Sequence, residues 1–316
     1  MEYLNIARDI RDMKPSTYKT YKSNLNRAMI LLKKKDDEFF NHICNEPEVV
    51  IEIFKTNLSP SSQTAIIAVC LVMMSPHRGK CPDENKKAHN IYNTYIKTTY
   101  NNYRANAVVK NTKEINNWLD GRTIKANYLD KYASRFNPKM LKNGFYDDNV
   151  KIDALRYLIL GLYTLLPPRR LDYADCYIIN KKDYTKLSRA ELLSKNYLVV
   201  LKNPLFFSWT IQKSDTDDAV IVDVKKNKDL QKIFKIYFKI MGVNEGGLLL
   251  RHPLKDFTRN ALTKEFNKIF HPYKISASML RKIYLTEKFG DIKQDIETTA
   301  EQMNHSPDVA LNVYTK

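Results

Sequence analysis

The chain has 316 residues, 43% hydrophobic and 11% aromatic, which excludes wholesale disorder and leaves room for two cores. Its 52 Lys and Arg outnumber 35 Asp and Glu to give a formal charge of +17, an excess that points to a polyanionic partner, nucleic acid first. Residues 1–134 hold 21 Lys and Arg against 14 Asp and Glu, and the remainder 31 against 21, so both halves are expected to meet that partner.

Four cysteines form no C-x-x-C pair, which suits a reducing compartment. Cys70, His77, Cys81 and His89 match no zinc spacing, and the acidic turn DTDDA lacks the later Gly and Glu of a calcium loop. No metal or cofactor is expected. MEYLNIARDI has no apolar signal core, and the longest apolar stretch, AIIAVCLVMM, falls far short of the ~20 residues that span a bilayer. The expectation is a soluble, intracellular protein without membrane contact.

In chain order, STYKTYKSNLNRAMILLK (16–33) predicts a helix capped by Ser16, with Tyr18, Tyr21, Leu25, Met29 and Leu32 on one stripe. KKKDDEFF (33–40) reads as a solvated helix end. Helical patterns follow at EPEVVIEIFKTN, SSQTAIIAVCLVMMS, NKKAHNIYNTYIKTTYNNYRANAVV and TKEINNWLD. Residues 1–134 thus read as a helical DNA-binding domain with lysine, asparagine and tyrosine outward, and the polar stretch 135–149 as a linker to a second domain, 150–316.

That domain opens with VKIDALRYLILGLYTLL, a helix capped by Asp148 or Asn149 and stopped by Pro167 and Pro168. YLVVL (197–201), FFSWTI (206–211) and AVIVDV (219–224) predict a small antiparallel sheet. KDLQKIFKIYFKIMG returns to helix with Gly242 as its stop, and EGGLLL (245–250) turns into the next segment. SASMLRKIYLTEKFG (276–290) predicts a helix from a Ser276 cap to Gly290, with Ser278 and Arg281 on one face. The fold class is mainly α with a small antiparallel β-sheet, an α+β protein. The eight glycines form no phosphate-binding loop.

The tail QMNHSPDVALNVYTK sets His305 and Tyr314 ~180° apart if it is one helix. Ser306 and Pro307 between them signal a helix start, so a break there lets both side chains address one place.

Arg169 with Asp172 in PPRRLDYAD, Lys213-Ser214 at the hairpin turn, Ser278-Met279-Leu280-Arg281, and Asn304-His305-Ser306 followed by Tyr314 stand in the order of the motifs of the tyrosine recombinase and integrase family, which the chain resembles. The matching residues span nearly all of the second domain, and the helical first domain is similar to that family's core-binding domain. The resemblance implies a site-specific recombinase that cleaves and rejoins double-stranded DNA without metal or ATP, through a covalent 3′-phosphotyrosyl intermediate. Tyr314 would attack phosphorus, Arg169 and Arg281 would hold the non-bridging oxygens, His305 would add a donor, Lys213 would protonate the departing 5′ oxygen, and Asp172 would orient an arginine. It also implies four protomers around two DNA duplexes. The PPRR form looks like recombinases of large DNA viruses and their satellites.

Two features depart from the pattern. Ser278 stands where the family usually has His; its hydroxyl can donate to a phosphate oxygen but is no acid or base near pH 7. Family members also carry a docking helix past the tyrosine, where this chain has Thr315 and Lys316. Arg170 competes with Arg169, Lys202 with Lys213, and His271 is a candidate substitute for the missing histidine. A type IB topoisomerase or telomere resolvase would use the same residues, and a DNA-binding protein that has lost catalysis is the alternative from another class.

Overall fold

Proline sets the start of three helices in the first third of the chain. Pro15, Pro47 and Pro60 each occupy the first turn, where a missing N–H costs nothing. In the computed structural model, which describes residues 2–106, 110–142, 144–210, 219–242 and 245–303, they open α2 (Pro15–Leu32), α4 (Pro47–Asn57) and α5 (Pro60–Met74). α1 (Glu2–Arg11), α3 (Asp36–Asn45) and α6 (Lys86–Asn106) complete the first of two compact units, Met1–Asn111.

The α2 stripe points inward as expected: Leu25 and Leu32 are buried, and Tyr18, Tyr21 and Met29 pack against the same core. Its cap is not Ser16. Lys14 holds that position without a side-chain bond, because Pro15 already takes the first helical place. KKKDDEFF holds the expected solvated helix end and also the start of the next helix: Lys33 turns left-handed to close α2, and α3 then buries Phe39. Tyrosines of α6 divide between faces. Tyr92 is fully buried and its hydroxyl donates to the Ile43 carbonyl at 3.1 Å, whereas Tyr100 is exposed.

The second unit is Thr112–Lys316, so the division falls at residue 111 and not 134. The expected linker is part of a core, since Phe136 and Tyr146 are buried there with Ile124, Leu129 and Tyr132. This stretch holds α7 (Thr112–Asn117), a helical run made of α8 (Gly121–Ile124), a π-turn (Lys125–Leu129) and α9 (Asp130–Ala133), which carries Ile124, Leu129 and Tyr132, and α10 (Pro138–Lys142), which Phe136 and Tyr146 flank. The polar composition of 133–149 concealed two aromatic anchors.

α11 (Asp148–Thr164) runs through the middle of this unit. Its cap is Asp147, which accepts from the Val150 N–H at 2.8 Å, one residue before the expected position. Ala154, Leu155, Leu158, Ile159 and Leu162 are wholly buried, and each buried leucine contributes about 2 kcal/mol. α14 (Lys228–Met241) packs along it at Gly161, where an added Cβ would lie 2.6 Å from Ile233 Cδ1.

The sheet has four strands, β1 (Cys176–Asn180), β2 (Asn196–Val200), β3 (Pro204–Trp209) and β4 (Val220–Asp223), in that order across the sheet. β2, β3 and β4 are antiparallel as expected, but β1 pairs parallel with β2, so the sheet is mixed. The crossover between them holds α12 (Lys181–Tyr184) and α13 (Arg189–Ser194). β1 escaped notice because CYIIN is five residues long and directly follows a polar turn. Residues 246–249 bond to its free side, with Leu249 N donating to Cys176 O at 2.7 Å. The β3–β4 register ends at Trp209↔Val220.

α15 (Arg259–Ile269) and α16 (Ala277–Gln302) follow. Ser276 does cap α16, its hydroxyl accepting from Met279 N at 3.3 Å. Gly290 does not stop it. An interior glycine costs only ~1 kcal/mol, and the Lys293–Glu297 pair at 3.4 Å and buried Ala300 support the turns beyond it. Among the described residues no helix is long and apolar enough to cross a membrane.

Candidate functional site

Arg169 follows α11 by way of Pro167 and Pro168, which end the helix and turn the chain toward the sheet. A 3₁₀ turn, Asp172–Asp175, then brings Asp172 back beneath it. Arg169 Nε donates to Asp172 Oδ2 at 3.0 Å, and both side chains are about four-fifths buried, at 20% and 18% exposure. The guanidinium carbon lies 4.4 Å from the ring centroid of Trp209, at the end of β3.

Trp209 is itself held on two sides. It stacks on Phe207 at 5.0 Å and meets the edge of Tyr173 at 5.1 Å, with the indole wholly buried. An arginine so placed keeps its charge and remaining N–H donors near the surface while losing rotamer freedom, which suits a group that must meet an anion in a fixed geometry. The adjacent Arg170 differs: its side chain is exposed, and its carbonyl accepts a hydrogen bond from Tyr163. The anchored member of the pair is Arg169.

Arg281 reaches the same neighbourhood from α16. It is half-buried, one turn after the Ser276 cap, with Met279 and Leu280 buried beside it. Tyr163 registers both arginines. Burial pushes its phenol well above the ordinary range, Tyr173 and Asp172 push it further, and Arg169 and Arg281 each pull it back. The geometry agrees: the Tyr163 hydroxyl bonds the backbone beside Arg169, and Tyr163 lines one cleft with Leu280, the neighbour of Arg281. Ser278 is exposed on the outer side of the first turn of α16, open to solvent or to a ligand.

A cleft of about 260 Å³ lies on this side of the unit, lined by Arg122, Lys125, Tyr163, Leu280, Tyr284 and Glu287 among others. It borders on Tyr163 and on the turn of α16 that carries Arg281. Glu287 accepts from the Gly121 N–H and so joins α16 to α8.

Four of the expected site residues, Arg169, Asp172, Ser278 and Arg281, are among those described, and the fold draws the two arginines and Asp172 into one region. Lys213, His305 and Tyr314 lie outside the described residues. Of the alternatives, Lys202 is exposed in the β2–β3 turn, and His271 is exposed ahead of the α16 cap. Among the described residues no three His, Cys, Asp or Glu side chains stand close enough to hold a metal ion.

Sequence reading missed the supports of the site. Trp209 was visible only as a strand residue and Tyr163 only as a helix-core residue. The signal for Trp209 was its place four residues before the candidate lysine, near the end of a strand. Glu265, wholly buried in α15, was also unmarked; it accepts from Arg156 Nε at 2.8 Å and Lys268 Nζ at 3.0 Å. Compared with known proteins, the chain matches no family model, no curated protein and no solved structure.

Proposed function

We propose that this protein is a DNA strand transferase, a site-specific recombinase that breaks a phosphodiester with Tyr314 and holds the product as a 3′-phosphotyrosine for rejoining. The observation that carries the reading is Arg169 fixed between Asp172 and the Trp209 ring, next to a cleft that Tyr163 shares with the turn of α16 bearing Arg281. A fixed guanidinium with a second arginine nearby suits a phosphorane-like transition state, whose non-bridging oxygens gain charge and need donors already in place. The formal charge of +17 supports a DNA partner.

In this reading Lys213 protonates the leaving 5′ oxygen and His305 adds a donor to the phosphate. Asp172 and Trp209 position Arg169 without touching the substrate. Double-stranded DNA is the substrate, four protomers on two duplexes form the working assembly, and the reaction takes place inside the cell wherever that DNA lies. Ser278, exposed where a histidine would serve as acid or base, favours a second reading, a DNA-binding protein that no longer transfers strands.

Covalent chemistry separates the two. The protein is incubated with supercoiled plasmid in EDTA without ATP and quenched with detergent, beside Tyr314→Phe. Protein held on DNA in the wild type and absent in the variant supports strand transfer. Equal DNA binding by both proteins, with no adduct on any plasmid or on a random-sequence duplex library, supports the binding protein.

A further inference from the structure

The segment 225–239, KKNKDLQKIFKIYFK, holds six lysines and one aspartate. α14 sorts them by face. Leu230, Ile233, Phe234, Ile236, Tyr237 and Ile240 are buried toward the core, whereas Lys228, Lys232, Lys235 and Lys239 recur at intervals of four, three and four residues and are all exposed. That spacing puts the four ammonium groups in one row along the helix. None of them forms an ion pair among the described residues.

Helix stability does not explain the row. Lys225, Lys226 and Lys228 crowd the helix N-terminus, where the macrodipole disfavours cations, and lysines four apart repel one another. Asp229, the single acid of the segment, forms no ion pair with these lysines among the described residues. Beside the row lies a groove of about 480 Å³ between α14 and the β2–β3 turn, lined by Lys225, Lys228, Lys232 and Lys235 together with Gln231 and Asn203, with no carboxylate in its wall among the described residues. Gln231 fixes one side of it by donating to the carbonyls of Pro204 at 2.8 Å and Val224 at 3.0 Å.

We infer that the lysine row of α14 and this groove form a second DNA contact, a track for the sugar-phosphate backbone of a duplex, distinct from the Arg169–Arg281 site. The row from Lys228 to Lys239 is ~16 Å long at 1.5 Å per residue, which matches about five phosphates of one strand at 3.4 Å of axis each. Lysine suits this task because an ammonium on a flexible stem neutralises a phosphate without demanding one orientation, so the contact follows the backbone whatever the sequence. The inference rests on the reading of the chain as a DNA-binding protein but not on strand transfer.

The test is the salt dependence of binding to a short random-sequence duplex, measured in a Tyr314→Phe background so that no covalent adduct interferes. Lys228, Lys232, Lys235 and Lys239 are replaced together by Gln in one variant and by Arg in another. Each lost phosphate contact lowers the slope of log K against log salt by ~0.9, so the Gln variant is expected to lose roughly 3 to 4 slope units and the Arg variant to keep the slope. A slope unchanged in the Gln variant overturns the inference while leaving the proposed function intact. Loss of slope in the Arg variant as well overturns it, since the charge would then not be what matters. Unchanged DNA binding with loss of polyglutamate binding would assign the row to an acidic protein and overturn it. A parent protein with no salt-dependent DNA binding would overturn the proposed function too.

Discussion

The guanidinium of Arg169 lies over the indole of Trp209, 4.4 Å from carbon to ring centroid, while its Nε holds Asp172 at 3.0 Å. An anion that engages this guanidinium must change the field at the indole. In a Trp118→Phe background, which leaves Trp209 as the one indole, inorganic phosphate or vanadate is expected to alter the emission of Trp209. The same titration of Arg169→Gln is expected to show no change. Asp172 and the ring both lose their partner in that variant, so its unfolding free energy in urea should fall by about 2 kcal/mol.

Ser278 is exposed in the first turn of α16, so a larger ring there meets no packed neighbour. Ser278→His is expected to leave stability within about 0.5 kcal/mol of wild type. If Tyr314 is the nucleophile, the variant should form covalent adducts on DNA about tenfold faster or more, because imidazole adds an acid–base group near neutral pH. Single-turnover quenching measures both the rate and any change in its pH profile.

Glu265 is wholly buried between Arg156 and Lys268. Burial alone would raise its pKa, but the bonds from Arg156 and Lys268 outweigh burial and hold it below the ordinary 4.5. A carboxylate with a lowered folded pKa stabilises the fold above the unfolded value and loses that contribution as pH falls through the folded one. Stability is therefore expected to decline as pH drops below about 4.5. Glu265→Gln should cost about 2 to 3 kcal/mol near pH 7 by leaving Arg156 without its partner, and should flatten the acid limb of the urea-midpoint profile.

Tyr163→Phe removes the hydroxyl that bonds the Arg170 carbonyl. A stability loss of about 1 kcal/mol is expected, because the ring keeps its edge contacts with Phe266 at 4.8 Å and Tyr173 at 5.3 Å. Since that bond fixes the backbone next to Arg169, adduct formation should slow while DNA affinity holds, a split that competition binding and single-turnover cleavage resolve together.

Long amphipathic or apolar patterns were legible. α2, α4, α5, α6, α11 and α14 were all expected within a few residues, because their hydrophobic spacing decides the fold locally. What misled was chemistry that depends on distant partners. Phe136 and Tyr146 joined the core through a stretch that reads as linker, and β1 acquired its place only by pairing parallel with a strand beyond a crossover. Gly290 was read as a stop because glycine favours helix ends, yet no proline or left-handed turn follows it. In the site, Arg169, Asp172 and Arg281 were legible as motif residues. Trp209, which holds Arg169, and Tyr163, whose hydroxyl holds the backbone beside it, were not, since a cation over a ring and a buried hydroxyl leave no spacing pattern.

Trp209, where the β3–β4 register ends, is joined to Lys213 by only a short length of chain. Lys213 is the fourth residue after Trp209, and an extended chain covers at most ~3.6 Å per residue. Its Cα therefore lies within ~14 Å of the Trp209 Cα in any conformation of the chain, and the lysine stem adds further reach. The residue whose ring pins Arg169 thus also bounds how far from it the proposed general acid can stand. Residues inserted between Trp209 and Lys213 would extend that limit without touching a single residue of the core.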